Sequence, residues 1–260
     1  PKFFYEVMLR NDRRAHGAHY DWRFFKHVRR SNDKRDTLHH LVRTWLQFTE
    51  NEGIISWISH GTLLGWYWNG LTMPWDTDGD IQMPIKELDR FARRYNGTLV
   101  VQDPTEGDGR YFIEVGSWYV ERSRGNGNNI IDARFIDTRS GMYLDITGLT
   151  YAETPKGETL KNLRKPEDRV VGENKQKPKS KWDGLPQFGC KNGHRYNLDE
   201  ISPLRRTLFE GVPAYIPNAY TELLRREYPK GLTSNKYQSF HFISPIQDWV
   251  TDDRCEELTV

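Results

Sequence analysis

Along the first half of the chain, the apolar positions fall into short runs whose spacing switches between helical and extended. Leu38, Leu41, Val42, Trp45, Leu46 and Phe48 recur at helical spacing, between Asp36 as a plausible N-cap and Gly53 as the residue that ends the last turn, and so predict an amphipathic helix. Residues 54–59 are a short β-branched and aromatic run. They lead straight into His60-Gly61-Thr62-Leu63-Leu64-Gly65, which reads as a strand turning into a helix that ends near Asn69-Gly70. Residues 80–83 predict a strand stopped by Pro84, and residues 85–95 a helix with Leu88 and Phe91 turned inward. Further strands are expected at 98–102, 111–115, 130–136 and 143–147.

The flanks are less periodic. Residues 1–36 mix polar and aromatic positions without a sustained period and read as an N-terminal extension wrapped around a domain of residues 37–260. Within that domain, 153–200 is rich in Lys, Gly, Pro and Asn. It is too long for an ordinary connection, and insertions of this kind form lids or stay disordered. Residues 207–216 resume a strand pattern around Gly211, 217–228 predict a helix with Pro217 in its first turn, and the tail is irregular.

Composition narrows the classes. The 260 residues suit one large domain, and 38 basic against 36 acidic side chains leave no global field to attract nucleic acid. Basic residues cluster at Arg10, Arg13, Arg14, Arg23, Arg29 and Arg30 and again over 161–181, where they read as solvated faces. No stretch approaches the roughly 20 apolar residues of a membrane span. Cys190 and Cys255 are too few for a structural zinc site but enough for one disulfide. Such a bond fits a secretory lumen, as does the sequon Asn96-Gly97-Thr98. With no signal peptide and Pro1 at its start, the chain reads as an excised domain.

The chemistry gathers at Pro74-Trp75-Asp76-Thr77-Asp78-Gly79-Asp80-Ile81. In an extended chain, alternate side chains share a face, so Asp76, Asp78 and Asp80 are expected to converge. Carboxylates that close together need solvent, protons or a cation, and hard oxygen ligands suit Mg²⁺ or Mn²⁺. A calcium loop fits less well, because Gly79 precedes the third acidic residue instead of following it. Asp145 stands between apolar neighbours in a predicted strand, where Asp is depleted, and is a candidate ligand or general base. The small residues after His60 let a ligand approach backbone at a helix N-terminus, which favours phosphate. Arg122 and Arg134 are candidate phosphate clamps, although Arg134 also alternates with Asp132 and could pair with it. Trp66 and Trp68 are candidates to stack on a sugar or a base, with helix packing the alternative for at least one.

A glycine turn, then Asp-x-Asp, then a further strand carboxylate resembles the nucleotidyltransferase pattern of the polymerase β superfamily, with Thr62 where Gly or Ser is usual. His60-Gly61-Thr62-Leu63-Leu64-Gly65 followed by the Pro74–Ile81 stretch resembles, more specifically, the LicD family of bacterial phosphocholine transferases and fukutin-related ribitol-phosphate transferases. Tyr143-Leu144-Asp145-Ile146, Ile201-Ser202-Pro203-Leu204 and Phe209-Glu210-Gly211-Val212-Pro213 extend the likeness over residues 38–230. Within the family, residues 20–25, Trp66-Tyr67-Trp68-Asn69-Gly70 and residues 132–137 look most like the fungal Golgi mannosylphosphate-transfer proteins. Gly79 stands where relatives carry an apolar residue, which implies a less rigid strand, and the zinc-binding cysteines of the fukutin-related members are absent.

The resemblance implies an α+β nucleotidyltransferase fold, a mixed sheet flanked by helices with long loop insertions. It also implies metal-dependent transfer of mannose-1-phosphate from GDP-mannose to mannose residues of N-glycans, with release of GMP. On that reading Asp78, Asp80 and Asp145 are catalytic, and Asp76, Asp78, Asp80 and Asp145 surround Mn²⁺ or Mg²⁺. His60, Gly61, Thr62, Arg122, Arg134 and Trp66 bind substrate. The full-length protein is expected to be a type II membrane protein of the Golgi lumen, anchored outside this chain. The alternatives are a non-catalytic glycan-binding regulator of a partner transferase, and a donor such as CDP-ribitol or CDP-choline.

Overall fold

The computed structural model describes residues 1–7, 18–122, 128–152 and 187–252. Cys255, the basic residues Arg10, Arg13 and Arg14, and the basic run at 161–181 lie outside them, as does most of the 153–200 segment. The architecture is α+β. An eight-stranded mixed sheet contains β3 (Trp57–Ile58), β4 (Gly79–Pro84), β5 (Leu99–Val101), β6 (Arg110–Val115), β7 (Ala133–Asp137), β8 (Tyr143–Ala152), β9 (Gln187–Gly189) and β10 (Arg195–Asn197). Its strands run in the order β10-β9-β8-β7-β6-β5, with β4 alongside the first part of β8 and β3 outside β4. The β4–β8 pair is parallel, and the other pairs among the described residues are antiparallel.

Alternation gives this sheet two different faces. Ile81, Met83, Ile113, Ala133, Phe135, Leu144 and Ile146 are buried on one of them, beneath α1 (Ser31–Glu52) and α3 (Ile85–Tyr95). Trp45 of α1 meets Phe91 of α3 and Phe135 of β7 at ring-centroid distances of 5.6 and 5.3 Å, which closes the core. The opposite face carries the polar residues of the same strands. Over it lies a small hairpin of β1 (Glu6–Val7) and β2 (Ala18–Asp21).

Helix α1 starts five residues before the expected cap. Arg30 is its N-cap, the polar run Ser31-Asn32-Asp33 forms its first turn, and Asp36 lies inside it. Its far end is as expected: Gly53 is left-handed at φ 62° and returns its N–H to Glu50 and Thr49. The strand pattern expected over 207–216 is instead a hairpin, β11 (Arg205–Phe209) with β12 (Val212–Ile216). Glu210 and Gly211 both take positive φ, 52° and 76°, which makes a two-residue turn that suits the twist of two strands. The 153–200 segment ends in β9, β10 and the short helix α4 (Leu198–Ile201), and the tail expected to be irregular forms a three-stranded sheet of β13 (Lys236–Tyr237), β14 (Phe240–Ile243) and β15 (Asp248–Thr251).

Candidate active site

Asp80 is the second residue of β4, and its register partner on β8 is Asp145. Asp145 is also in register with Arg134 on β7, and Arg134 with Glu114 on β6. Residues opposite one another share a face, so these four make a polar row across four strands on the face turned away from α1 and α3. Arg134 Nε donates to Asp145 Oδ1 at 2.8 Å and Nη2 to Glu6 Oε1 at 3.0 Å, and the guanidinium lies 3.7 Å from the centroid of the Tyr143 ring. Arg134 therefore pairs with the strand aspartate and the N-terminal hairpin, and not with Asp132.

Asp76 and Asp78 precede the strand. The Asp76 N–H donates to Met73 O at 3.0 Å, closing a turn, so the three acidic residues do not share one extended chain as expected. They converge because this turn folds back toward the end of β4. Burial pushes the Asp80 carboxyl well above its ordinary range, and the charges of Asp78, Asp145 and Asp76 push it further. Burial, then Asp78, raises Asp76 to about 7. Asp145 is raised by burial and by Asp78 against the opposing pull of Arg134. The donors are all oxygen, the kind a hard divalent cation takes, and Arg134 engages only one oxygen of Asp145, but among the described residues no three of these carboxylates bring oxygens within 4.8 Å of one another as the atoms of His60, His194 and Glu227 do. His19 of β2, which no sequence signal marked, brings Nδ1 to 3.3 Å from Asp78 Oδ2.

Helix α2 (His60–Asn69) starts beside this cluster. Thr62 is buried and its hydroxyl accepts the Asp80 N–H at 2.8 Å, so it fixes the start of β4 directly. A side-chain carbon on Gly61 would lie 3.8 Å from Asp76 Oδ2 and 3.9 Å from the Tyr228 hydroxyl, which places the Gly61 backbone against both. Gly79 is buried opposite Leu144, and a methyl there would come within 2.5 Å of Leu144 Cδ2. Its missing side chain is thus room taken by Leu144 in a packed layer, and not the looseness expected of the strand.

His60 has a left-handed backbone, φ 51°, a conformation that costs a non-glycine residue roughly 1–2 kcal/mol. Its side chain is held firmly. Trp57 Nε1, a donor only, points at Gln82 Oε1 at 3.3 Å; this orients the Gln82 amide so that its nitrogen faces His60 Nε2, also at 3.3 Å. His60 Nε2 is then the acceptor, and Nδ1–H donates to Glu227 Oε2 at 2.8 Å. His194 approaches the other oxygen of Glu227 at 3.3 Å. The ligand atoms of His60, His194 and Glu227 lie close enough to hold a metal, and in this structure both imidazoles approach the Glu227 carboxylate at 2.8 and 3.3 Å. We therefore read the trio as a latch between α2 and the end of α5 (Tyr220–Glu227).

Two expected substrate residues lie apart from the acidic cluster. Arg122 Nη1 is bound to both oxygens of the fully buried Asp132 at 2.8 and 2.9 Å, and Nη2 to the carbonyl of Gly148. Gly148 is three residues, about 10 Å, along β8 from Asp145. Trp66 donates Nε1–H to Thr207 Oγ1 at 2.9 Å and packs edge-on against Tyr220, joining α2 to β11 and α5. Trp68, by contrast, lines a cleft of about 680 Å³ with Trp75, Tyr237 and Trp249, and Gly61 and Asp76 form the side of this cleft nearest the acidic cluster. The expected Cys190–Cys255 bond involves a residue outside the described part of the chain.

The family described as LicD/FKTN/FKRP, nucleotidyltransferase domain, matches residues 53–156, the stretch from the end of α1 through β8. Residues 53–156 are a LicD-family domain. This LicD segment contains His60, Gly61, Thr62 and all four aspartates. Glu227, His194 and most of the aromatic cleft come from residues beyond it. The whole chain is also similar to two Saccharomyces cerevisiae proteins, Mannosyltransferase regulator 4, 33% identical over 99% of this chain, and Mannosyltransferase regulator 14, 32% identical over 87%. The chain spans less than a third of either relative, 29% and 32% of their lengths.

Proposed function

We propose that the chain transfers mannose-1-phosphate from GDP-mannose to a mannose hydroxyl of an N-glycan, in the Golgi lumen of a cell whose full-length protein is membrane-anchored. The observation that carries this reading is the Asp80–Asp145 pair in register across β4 and β8, with Asp76 and Asp78 folded against it. Asp78, Asp80 and Asp145 would hold Mn²⁺ or Mg²⁺, which neutralises the charge of the donor diphosphate. Arg134 keeps Asp145 oriented and more acidic than burial alone would leave it, which suits a ligand better than a base. Asp76, held near neutrality by burial and standing between the cluster and the cleft, is the better candidate to take the acceptor proton. The acceptor oxygen attacks the phosphorus that bears mannose, its bond to the bridging oxygen breaks, GMP leaves, and the acceptor proton passes to Asp76. Gly61 offers backbone beside Asp76, and Thr62 holds Asp80 in place.

The test is incubation of the chain with GDP-mannose, Mn²⁺ and a mannan acceptor. The reading requires GMP and a phosphodiester, both lost in Asp78→Ala and Asp80→Ala. Retained transfer in those variants sinks the metal assignment, and transfer from CDP-ribitol or CDP-choline instead reassigns the donor. The second reading, a glycan-binding regulator of a partner transferase, is favoured by the printed names of the two relatives. It predicts no GMP release with any divalent ion, while glycan is still bound.

A further inference from the structure

The cleft beside Asp76 plays no part in the chemistry above. Its wall is shared between the LicD segment, which supplies Trp68 and Trp75, and the chain beyond it, which supplies Tyr228, Tyr237 and Trp249. Trp75 is the centre of that wall, 4.7 Å from Tyr237 at 39° and 4.9 Å from Trp249 at 84°, and Trp68 lies 5.0 Å from Trp249 at 69°. No two of these rings are parallel. A nucleobase, being flat, gains most from a parallel ring face. A bent aromatic wall instead follows the staggered C–H face of a pyranose, which is apolar on that side and hydroxylated at its rim.

Polar groups around the wall agree with that shape. Trp249 is buried, yet its indole N–H has no acceptor among the described residues, a state that costs free energy until something accepts the bond. Trp68 is different, since its N–H is already used on Gly231 O at 2.8 Å. The Trp249 nitrogen is shielded from solvent, so Trp249 backs the wall and its N–H does not reach into the cleft. Lys230 and Lys236 also border the cleft and have no carboxylate partner among the described residues. Their two positive charges stand near the cluster from which a phosphate would arrive, and they match a glycan that becomes anionic on the enzyme.

We propose that this cleft is a glycan subsite that seats a mannose oligosaccharide, with a pyranose face on Trp75 and Tyr237 and its hydroxylated rim toward Lys230 and Lys236. Its role as the acceptor subsite rests on the transfer reading above; glycan binding itself needs neither metal nor donor. Isothermal titration of the chain in EDTA with α-mannotriose, and separately with GMP, tests it. The expected result is saturable binding of mannotriose in the millimolar range or tighter. Binding should weaken roughly tenfold or more in Tyr237→Ala, a half-exposed position that spares the fold, and in Trp75→Leu, which removes the ring that the pyranose face would meet. No heat with mannotriose, wild-type binding by both variants, or displacement of mannotriose by GMP overturns the assignment. Glycan binding without GMP release leaves the subsite standing and removes the transfer reading; GMP release without glycan binding does the reverse.

Discussion

Asp80 and Asp145 stand opposite one another across the parallel pair β4–β8, and among the described residues no cationic side chain pairs with Asp80. An acid whose folded pKa is raised above its unfolded value destabilises the fold once the pH exceeds that unfolded value. Asp80→Asn should therefore melt above wild type in EDTA at neutral pH, by about 2–4 °C for each kcal/mol of relieved repulsion. The same variant should lose the gain in Tm that Mn²⁺ gives wild type. Thermal melting with and without Mn²⁺ reads both effects, and a variant that melts lower in EDTA while keeping the Mn²⁺ gain contradicts them.

Arg134 is one of the largest fully buried side chains, and it holds Asp145 and Glu6 at once. Removing it leaves the buried Asp145 and the half-buried Glu6 without their counter-charge. Arg134→Met is expected to cost about 3–5 kcal/mol in urea unfolding. Lysine cannot span both partners as the guanidinium fork does, so Arg134→Lys should recover less than half of that. Full stability in Arg134→Lys would mean that a point charge suffices.

The Glu227 latch has a definite pH signature. Burial alone would raise its carboxyl, but hydrogen bonds from His194 and His60 outweigh burial and hold it at about 2. Its folded value lies below its ordinary one of 4.5, so its stabilisation is present above about pH 4.5 and is lost as the pH falls toward 2. At about 1.4 kcal/mol per pH unit, it amounts to at most about 3 kcal/mol. The stability gap between wild type and Glu227→Gln, measured by urea unfolding from about pH 2.5 to 7, should be widest above pH 5 and close on acidification. A gap independent of pH would show that Glu227 acts by packing alone.

Gly79 offers a check on packing beside the site. With Leu144 Cδ2 only 2.5 Å from where a methyl would stand, Gly79→Ala should cost about 1–3 kcal/mol. Leu144→Ala made in the same chain should recover part of it, a coupling visible in a double-mutant cycle of urea midpoints. Strictly additive effects would contradict the contact.

What the sequence made legible follows from where its signals are local. Helix α3 and strand β4 lie close to their expected bounds because their apolar spacing is complete within ten or so residues. Asp145 was visible because a lone carboxylate in an apolar strand lacks an ordinary reason to be there. Helix α1 was expected to start late because its first turn, Ser31-Asn32-Asp33, carries no apolar position to count. Strands of two to four residues, such as β1, β9 and β13, have no period of their own and exist only through partners distant in the chain. For the same reason His19, His194, Glu227 and the Trp75, Tyr237 and Trp249 wall left no mark in sequence. Each reaches the site from an element whose place is set by tertiary packing. Arg122 and Trp66 show the converse, residues of suitable type whose side chains are taken up by Asp132 and Thr207.

The claim on which the rest depends is that Asp78, Asp80 and Asp145 form a divalent-cation centre. Titration of Mn²⁺ into the EDTA-stripped chain, followed by the loss of the free-ion paramagnetic resonance signal, measures it directly. The account predicts saturable binding to the wild-type chain, abolished in Asp80→Asn and in Asp145→Asn while both variants remain folded. Wild-type Mn²⁺ affinity in both variants, or no binding to wild type at millimolar Mn²⁺, would contradict it.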